Sequence, residues 1–277
     1  MKHDPGDKSV RVTREDVAAA AREVGVEPGE TLFFHSSLKS MGQVVGGPDA
    51  VIDGFLDVVA RQGTVAVPTL CNWAPGEQGL VLGRWDPATS PSYVGAITEA
   101  LRLRPGAVRS DQATHSVAAI GARAEELTAR HGVSGLRRSP FTPEAFAHES
   151  PWQRLVDWNA AYCFIGVTFR VCTMVHFVEA NLAERALERV GDRREEMEAE
   201  LESWMKPGPF PGIRIQDREV MEEMLAAEGI VRYSSIGSAT FRCARAGSMV
   251  RRWIEIVEAD PERCLSDEYL ALVERYS

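Results

Sequence analysis

The segment running from Thr173 to Glu179 carries the pair best suited in this chain to moving a proton, His176 and Glu179. In a helix, positions i and i+3 share a face, so the carboxylate can hold the imidazole ring. A carboxylate that orients one ring nitrogen leaves the other to act as a general base. Two fields oppose each other there: the start of a helix disfavours imidazolium, and Glu179 favours it. The spacing also fits a half-buried structural histidine beside an exposed glutamate, and the local pattern leaves both readings open. Cys172 lies just upstream. Were the helix to begin early enough, thiol, imidazole and carboxylate would share a face, the arrangement of an activated nucleophile. Against this, Thr173 reads as the helix N-cap, which places Cys172 outside the helix as a small apolar filler at a corner.

A second candidate is the stretch His35-Ser36-Ser37-Leu38-Lys39-Ser40-Met41-Gly42, with Gly46-Gly47 downstream and a helix expected from Pro48. It follows an apolar run, and ligands of open α/β folds bind at the carboxyl ends of strands. Small hydroxyl residues leave backbone N–H groups accessible there, and a following helix adds partial positive charge. Phosphate or pantetheine amide groups suit such a loop. No P-loop or GxGxxG pattern is present, so an ordinary Ser/Gly turn fits as well. A third stretch, Arg109 to Ser116, is a polar turn leading into an apolar strand. It could supply a second histidine or backbone donors, or it is a turn whose Asp and Thr side chains bond their own backbone.

The elements that must position these residues read as an α/β chain. Thr13 opens a helix with Asp16 three residues on, a capping pattern. Thr31 to Phe34 reads as a buried strand, 48–61 as a helix and 64–70 as a second strand, most simply a parallel pair. A long Pro/Gly/Trp-rich loop is expected at 71–92, a helix at 93–103, a strand near 115–121 and a helix at 122–130. After an irregular stretch at 132–151 come an apolar strand at 160–167 and a helix from Thr173. The charged segment 192–204 reads as a solvated helix, and the tail as a strand or hairpin followed by a helix. Residues 1–12 read as a flexible N-terminus and 13–277 as one domain, since nothing resembles a linker.

Composition narrows the partners. The chain has 277 residues, 44% of them hydrophobic, which suffices for a sizeable core. A net charge of −9 makes general nucleic-acid binding a poor fit. No apolar run is long enough for a membrane span, and the polar N-terminus lacks a signal-peptide core. Cys71, Cys163, Cys172, Cys243 and Cys264 are odd in number and never spaced as CxxC, so reduced thiols in a cytoplasmic protein are expected. HExxH is absent and no cysteine pair has a ligand spacing, so no metal is expected. A homodimer is left open.

Taken in order, LFFHSSLKSMGQVVGG, the strand ending Val67-Pro68-Thr69, TSPSYVGAITEALRLRPGAVRS, HSVAAIG, HESPWQRL and CFIGVTFRVCTMVHFVE resemble the aminoglycoside 3-N-acetyltransferase family. That family is structurally distinct from the GNAT acetyltransferases. The resemblance spans about residues 13 to 255 and includes GIVRYSSIGSA, Gly229 to Ala239. It implies a single-domain α/β sandwich with loop insertions, acetyl-CoA as donor and direct transfer to an amine. It maps the pantetheine-contacting loop onto Ser36, Ser37 and Leu38, and the catalytic pair onto His176 and Glu179. It maps donor-site walls onto Thr69, Ser116 and Val117. The chain departs from the family where Gln112-Ala113 replaces a frequent His-Pro, and where Thr168 ends a frequent Gly-Val-Gly. It departs again where Cys172-Thr173-Met174 replaces a common Asn-Thr-Ser, and the loop after residue 70 is shorter than in many resistance members. The expected function is acetyl-CoA-dependent N-acetylation of an amino sugar, an aminoglycoside or a natural-product intermediate, in antibiotic resistance or biosynthesis. Transfer through Cys172, transfer from a carrier protein, and a non-catalytic acyl-CoA-binding protein are the alternatives.

Overall fold

The computed structural model describes residues 7–71, 78–204, 212–213 and 217–277. The chain opens with a short strand, Arg11–Val12 (β1), and a helix, Arg14–Glu23 (α1). Thr13 caps α1 as its sequence predicts: its hydroxyl accepts from the Asp16 N–H, and the Asp16 carboxylate accepts the Thr13 N–H at 2.8 Å. Next come Thr31–Ser36 (β2), Gln43–Val44 (β3), Gly47–Val59 (α2) and Thr64–Pro68 (β4). Gln78–Gly83 (α3), Ala96–Arg102 (α4), Val108–Arg109 (β5), Val117–Gly121 (β6), Ala124–Thr128 (α5) and Pro151–Asp157 (α6) follow. Then come Ala161–Ile165 (β7), Met174–Arg189 (α7), Arg194–Ser203 (α8) and Asp217–Ala227 (α9). A hairpin, Val231–Ile236 (β8) and Ala239–Arg245 (β9), precedes Ala246–Ala259 (α10), Pro261–Cys264 (α11) and Asp267–Tyr276 (α12).

Seven strands form one mixed sheet in the order β5-β6-β4-β2-β7-β9-β8. The expected parallel pair of β2 and β4 is present, and β7 joins β2 in parallel on the other side. Strands β6 and β9, which flank these three, run antiparallel to them, and the edge strands β5 and β8 reverse again to run in their direction. Alternation along the strands splits the apolar side chains between two cores. Leu32 and Phe34 of β2, with Cys163 and Ile165 of β7, pack under α1, α2 and α4. Phe33, Tyr162 and Phe164 point the other way, onto α6, α7 and α10. Helices on both faces of one sheet make the α/β sandwich. Because both faces are covered, β2 and β7 read as continuous apolar runs rather than alternating ones.

Several expectations need correction. The stretch 1–12 is not flexible throughout: β1 pairs in parallel with β3, and Val12 is fully buried, while residues 1–6 lie outside the described residues. The 71–92 loop contains α3. Helix α6 is absent from the sequence reading, although Ser150 caps it by accepting the Gln153 N–H at 3.2 Å and Pro151 opens it. Helix α8 is not simply solvated, because Met197 and Leu201, one turn apart, are fully buried.

Topology sets the position of the site. The three parallel strands end on one edge of the sheet, at Ser36, Pro68 and Ile165, and antiparallel β6 begins on that same edge. Gly166, directly after β7, has φ +61°, and a Cβ on it would lie 2.3 Å from the Ser40 Cβ. Only glycine lets the loop after β2 press this closely on the end of β7.

Candidate active site

His176 and Glu179 lie on one face of α7 and meet as the spacing predicts: Nδ1 stands 2.6 Å from Glu179 Oε2. The other carboxylate oxygen, Oε1, accepts the main-chain N–H of Ile213 at 3.1 Å. Glu179 is 3% exposed and surrounded by core residues of α7, and each of its oxygens faces one of these two donors. Nδ1 therefore donates to the carboxylate, and in the neutral ring the lone pair falls on Nε2, the tautomer a base needs. Phe141 meets the ring edge-on with centroids 4.9 Å apart, and Phe146 and His115 stand behind it at 6.2 and 6.1 Å. Among the described residues Nε2 has no hydrogen-bond partner, and His176 lines a pocket of about 290 Å³ with Leu70, His115, Phe141, Cys172 and Arg218.

Thr173 departs from expectation. Its backbone is already helical, with φ −66° and ψ −27°, and its side chain caps nothing. Cys172 still lies outside α7, closing a 3-10 turn at Phe169–Val171. It is fully buried, and burial pushes its thiol up to about 12. At neutral pH the sulfur keeps its proton, which is the wrong state for a nucleophile.

The loop after β2 is held by its own residues. Ser37 N–H donates to the Ile165 carbonyl at 2.9 Å, and Ser40 Oγ donates to Ser37 Oγ at 2.8 Å. Ser37 is 8% exposed, so it builds the loop, whereas Ser36 and Leu38 are half-buried. His35 bonds Tyr162 Oη through Nε2 at 2.8 Å, and burial pulls it down to about 3, a neutral core histidine. Thr69, Ser116 and Val117 sit at the same sheet edge but are fully buried. Ser116 Oγ donates to the Thr69 carbonyl at 2.8 Å, and Arg109 Nε points at both hydroxyls at 3.0 Å. The Val117 N–H is taken by Ser110 Oγ. These three residues build the wall at this edge of the sheet from within. Arg109 fastens that wall, with burial pulling it down to about 10, so it stays cationic.

A profile of the aminoglycoside 3-N-acetyltransferase family matches residues 33–258. The chain belongs to this family. It is 32% identical over 256 residues to aminoglycoside N(3)-acetyltransferase VII of Streptomyces paromomycinus, covering 87% of this chain and 83% of the relative. The crystal structure of aminoglycoside acetyltransferase AAC(3)-Xa superposes with a TM-score of 0.66 at 26% identity, over 90% of this chain and 93% of that one. A complex of AAC-IIIb with CoASH superposes at 0.71 over 92% and 98% of the chains; its 20% identity speaks for the fold alone. The protein is an acetyl-CoA-dependent N-acetyltransferase with the α/β sandwich fold of its family. Among the described residues, no cluster of three His, Cys, Asp or Glu is placed to hold a metal, and no helix is long and apolar enough to cross a membrane.

The acetyltransferase explains its own departures from the family pattern. Gln112 closes the turn before β6: its Oε1 accepts from the His115 N–H and from Thr114 Oγ1, and its Nε2 donates to Thr142 Oγ1 at 3.1 Å. Thr168 donates to Glu219 Oε1 at 3.0 Å, tying the end of β7 to α9. Arg218 and Phe141 are pocket residues that local sequence pattern does not signal. Arg218 is 8% exposed, donates from Nη1 to the Arg170 carbonyl at 3.3 Å, and is pulled below the ordinary arginine range by burial. It reaches the site only because α9 packs across the turn that follows β7.

Proposed function

We propose that this acetyltransferase N-acetylates an aminoglycoside amine, with His176 as general base and Glu179 as the residue that positions it. The observation carrying the reading is the 2.6 Å contact between His176 Nδ1 and Glu179 Oε2 beside an open pocket at the sheet edge. The amine nitrogen attacks the thioester carbon while His176 Nε2 takes its proton. Glu179 stabilises the imidazolium that forms. Collapse of the tetrahedral intermediate expels the CoA thiolate, which the imidazolium reprotonates. Ser36 and Leu38, at the end of β2, receive the pantetheine arm. Direct transfer is favoured over a covalent step, because the Cys172 thiol is buried and protonated.

The test combines acetyl-CoA with a panel of aminoglycosides that includes sisomicin and apramycin, ligands of structural relatives. Acceptor-dependent release of the CoA thiol, with a product heavier by one acetyl group, is expected for at least one acceptor. Absence of acetylated product across the panel, with CoA binding intact, would refute the acceptor class.

A further inference from the structure

His115 lines the same pocket as His176, with ring planes 76° apart and centroids separated by 6.1 Å. Phe141 and Phe146 flank its ring at 4.2 and 4.8 Å. Its tautomer follows from its partners. The main-chain N–H of His115 can only donate, so the Gln112 atom that meets it is the side-chain oxygen. Thr114 Oγ1 stands 3.0 Å from that same oxygen, which has no proton, so the threonine hydroxyl gives its single proton there. Oγ1 then meets His115 Nδ1 at 2.9 Å as an acceptor. Nδ1 therefore carries the ring proton. Burial pushes the histidine well below its ordinary range, so the ring is neutral and Nε2 is a bare lone pair. Among the described residues that lone pair has no partner.

Two histidines whose neutral rings keep the lone pair on Nε2 thus line one pocket, and a neutral primary amine has two N–H groups and one lone pair. We propose that His115 is the second holder of the acceptor: its Nε2 accepts one N–H of the amine while His176 Nε2 accepts the other. The nitrogen lone pair is then turned away from both rings and toward the thioester carbon. An amine bonded to both at ~2.9 Å spans acceptor atoms roughly 4.7 Å apart, and the observed ring separation accommodates that span. The transferred proton goes to His176, which has Glu179 behind it; His115 has only Thr114 and keeps its tautomer. The site therefore reads its acceptor as a primary amine, because a secondary amine loses one of the two anchors. This inference rests on His176 acting as the base.

Nitrogen-15 NMR of the intact wild-type chain tests the tautomer directly. At neutral pH His115 should show a protonated Nδ1 and an unprotonated Nε2, and adding sisomicin with CoA should move the Nε2 resonance. A proton on Nε2, or no response to sisomicin, would overturn the proposal. Kinetics supply the second arm. His115→Phe should lower kcat/KM for sisomicin about tenfold with the KM for acetyl-CoA unchanged. His115→Gln, whose Oε1 can stand near the position of Nε2, should recover most of that loss. Equal losses in both variants, or none in either, would refute the contact. A wild-type chain that acetylates no aminoglycoside would defeat the acceptor reading instead, and the NMR arm would still decide the tautomer.

Discussion

Replacing Glu179 with glutamine keeps the side chain's shape and changes the chemistry of one atom. The native carboxylate faces two donors, His176 Nδ1 at 2.6 Å and the Ile213 N–H at 3.1 Å. Glutamine has a single acceptor oxygen. If that oxygen stays with Ile213, the amide NH2 faces Nδ1, and the ring must move its proton to Nε2, which abolishes the base. If the oxygen stays with His176, the NH2 confronts the Ile213 N–H and a buried donor goes unsatisfied. In both arrangements a charge-assisted hydrogen bond of about 1.5–3 kcal/mol is lost, which corresponds to roughly 10- to 150-fold in rate. His176→Ala, which deletes the base outright, should cost about two to four orders of magnitude. The assay is acceptor-dependent thiol release at saturating acetyl-CoA, under conditions where chemistry limits turnover. CoA affinity by calorimetry and a melting curve serve as controls. A Glu179→Gln enzyme with wild-type kcat under those conditions would refute the dyad.

Ser36→Trp should crowd the loop at the end of β2 and raise the KM for acetyl-CoA at least severalfold, checked by calorimetric titration with CoA; Ser37 is the poorer target because it is buried. Cys172→Ser should retain most of the activity, and mass spectrometry after mixing with acetyl-CoA should find no acetylated Cys172 peptide. Gly166→Ala must place a Cβ 2.3 Å from the Ser40 Cβ at a left-handed φ. It should cost at least ~2 kcal/mol and lower Tm by roughly 4–8 °C in a melting experiment.

Local signals carried the parts of the molecule that local physics determines. The α1 capping box, the apolar runs of β2 and β7 and the one-turn spacing of His176 and Glu179 are all relations within a few residues, and each stands in the structure as read. Thr173 misled because an N-cap residue type acts as a cap only with extended backbone, and the preceding 3-10 turn delivers it already helical. Thr69 and Ser116 were legible as sheet-edge residues, but their side chains are consumed by each other and by Arg109, a partner 40 residues from Thr69. Helix α6 escaped detection because it is only seven residues long, too short for apolar periodicity to register, although Ser150-Pro151 marks its start. Phe141 and Arg218 enter the pocket from elements far along the chain, and only the assembled layers put them beside His176.

The bond from Ile213 to Glu179 ties the dyad to the main chain. The carboxylate is served there by an amide that belongs to the backbone, so the donor's supply does not depend on which side chain residue 213 carries. Its buried setting asks only that this side chain be apolar. Proline is the exception, since it has no N–H to give. Residue 213 can therefore change among apolar types, provided its amide keeps its register against the dyad. At this position the carboxylate behind His176 is held by the main chain, and a change of side chain leaves that hold in place.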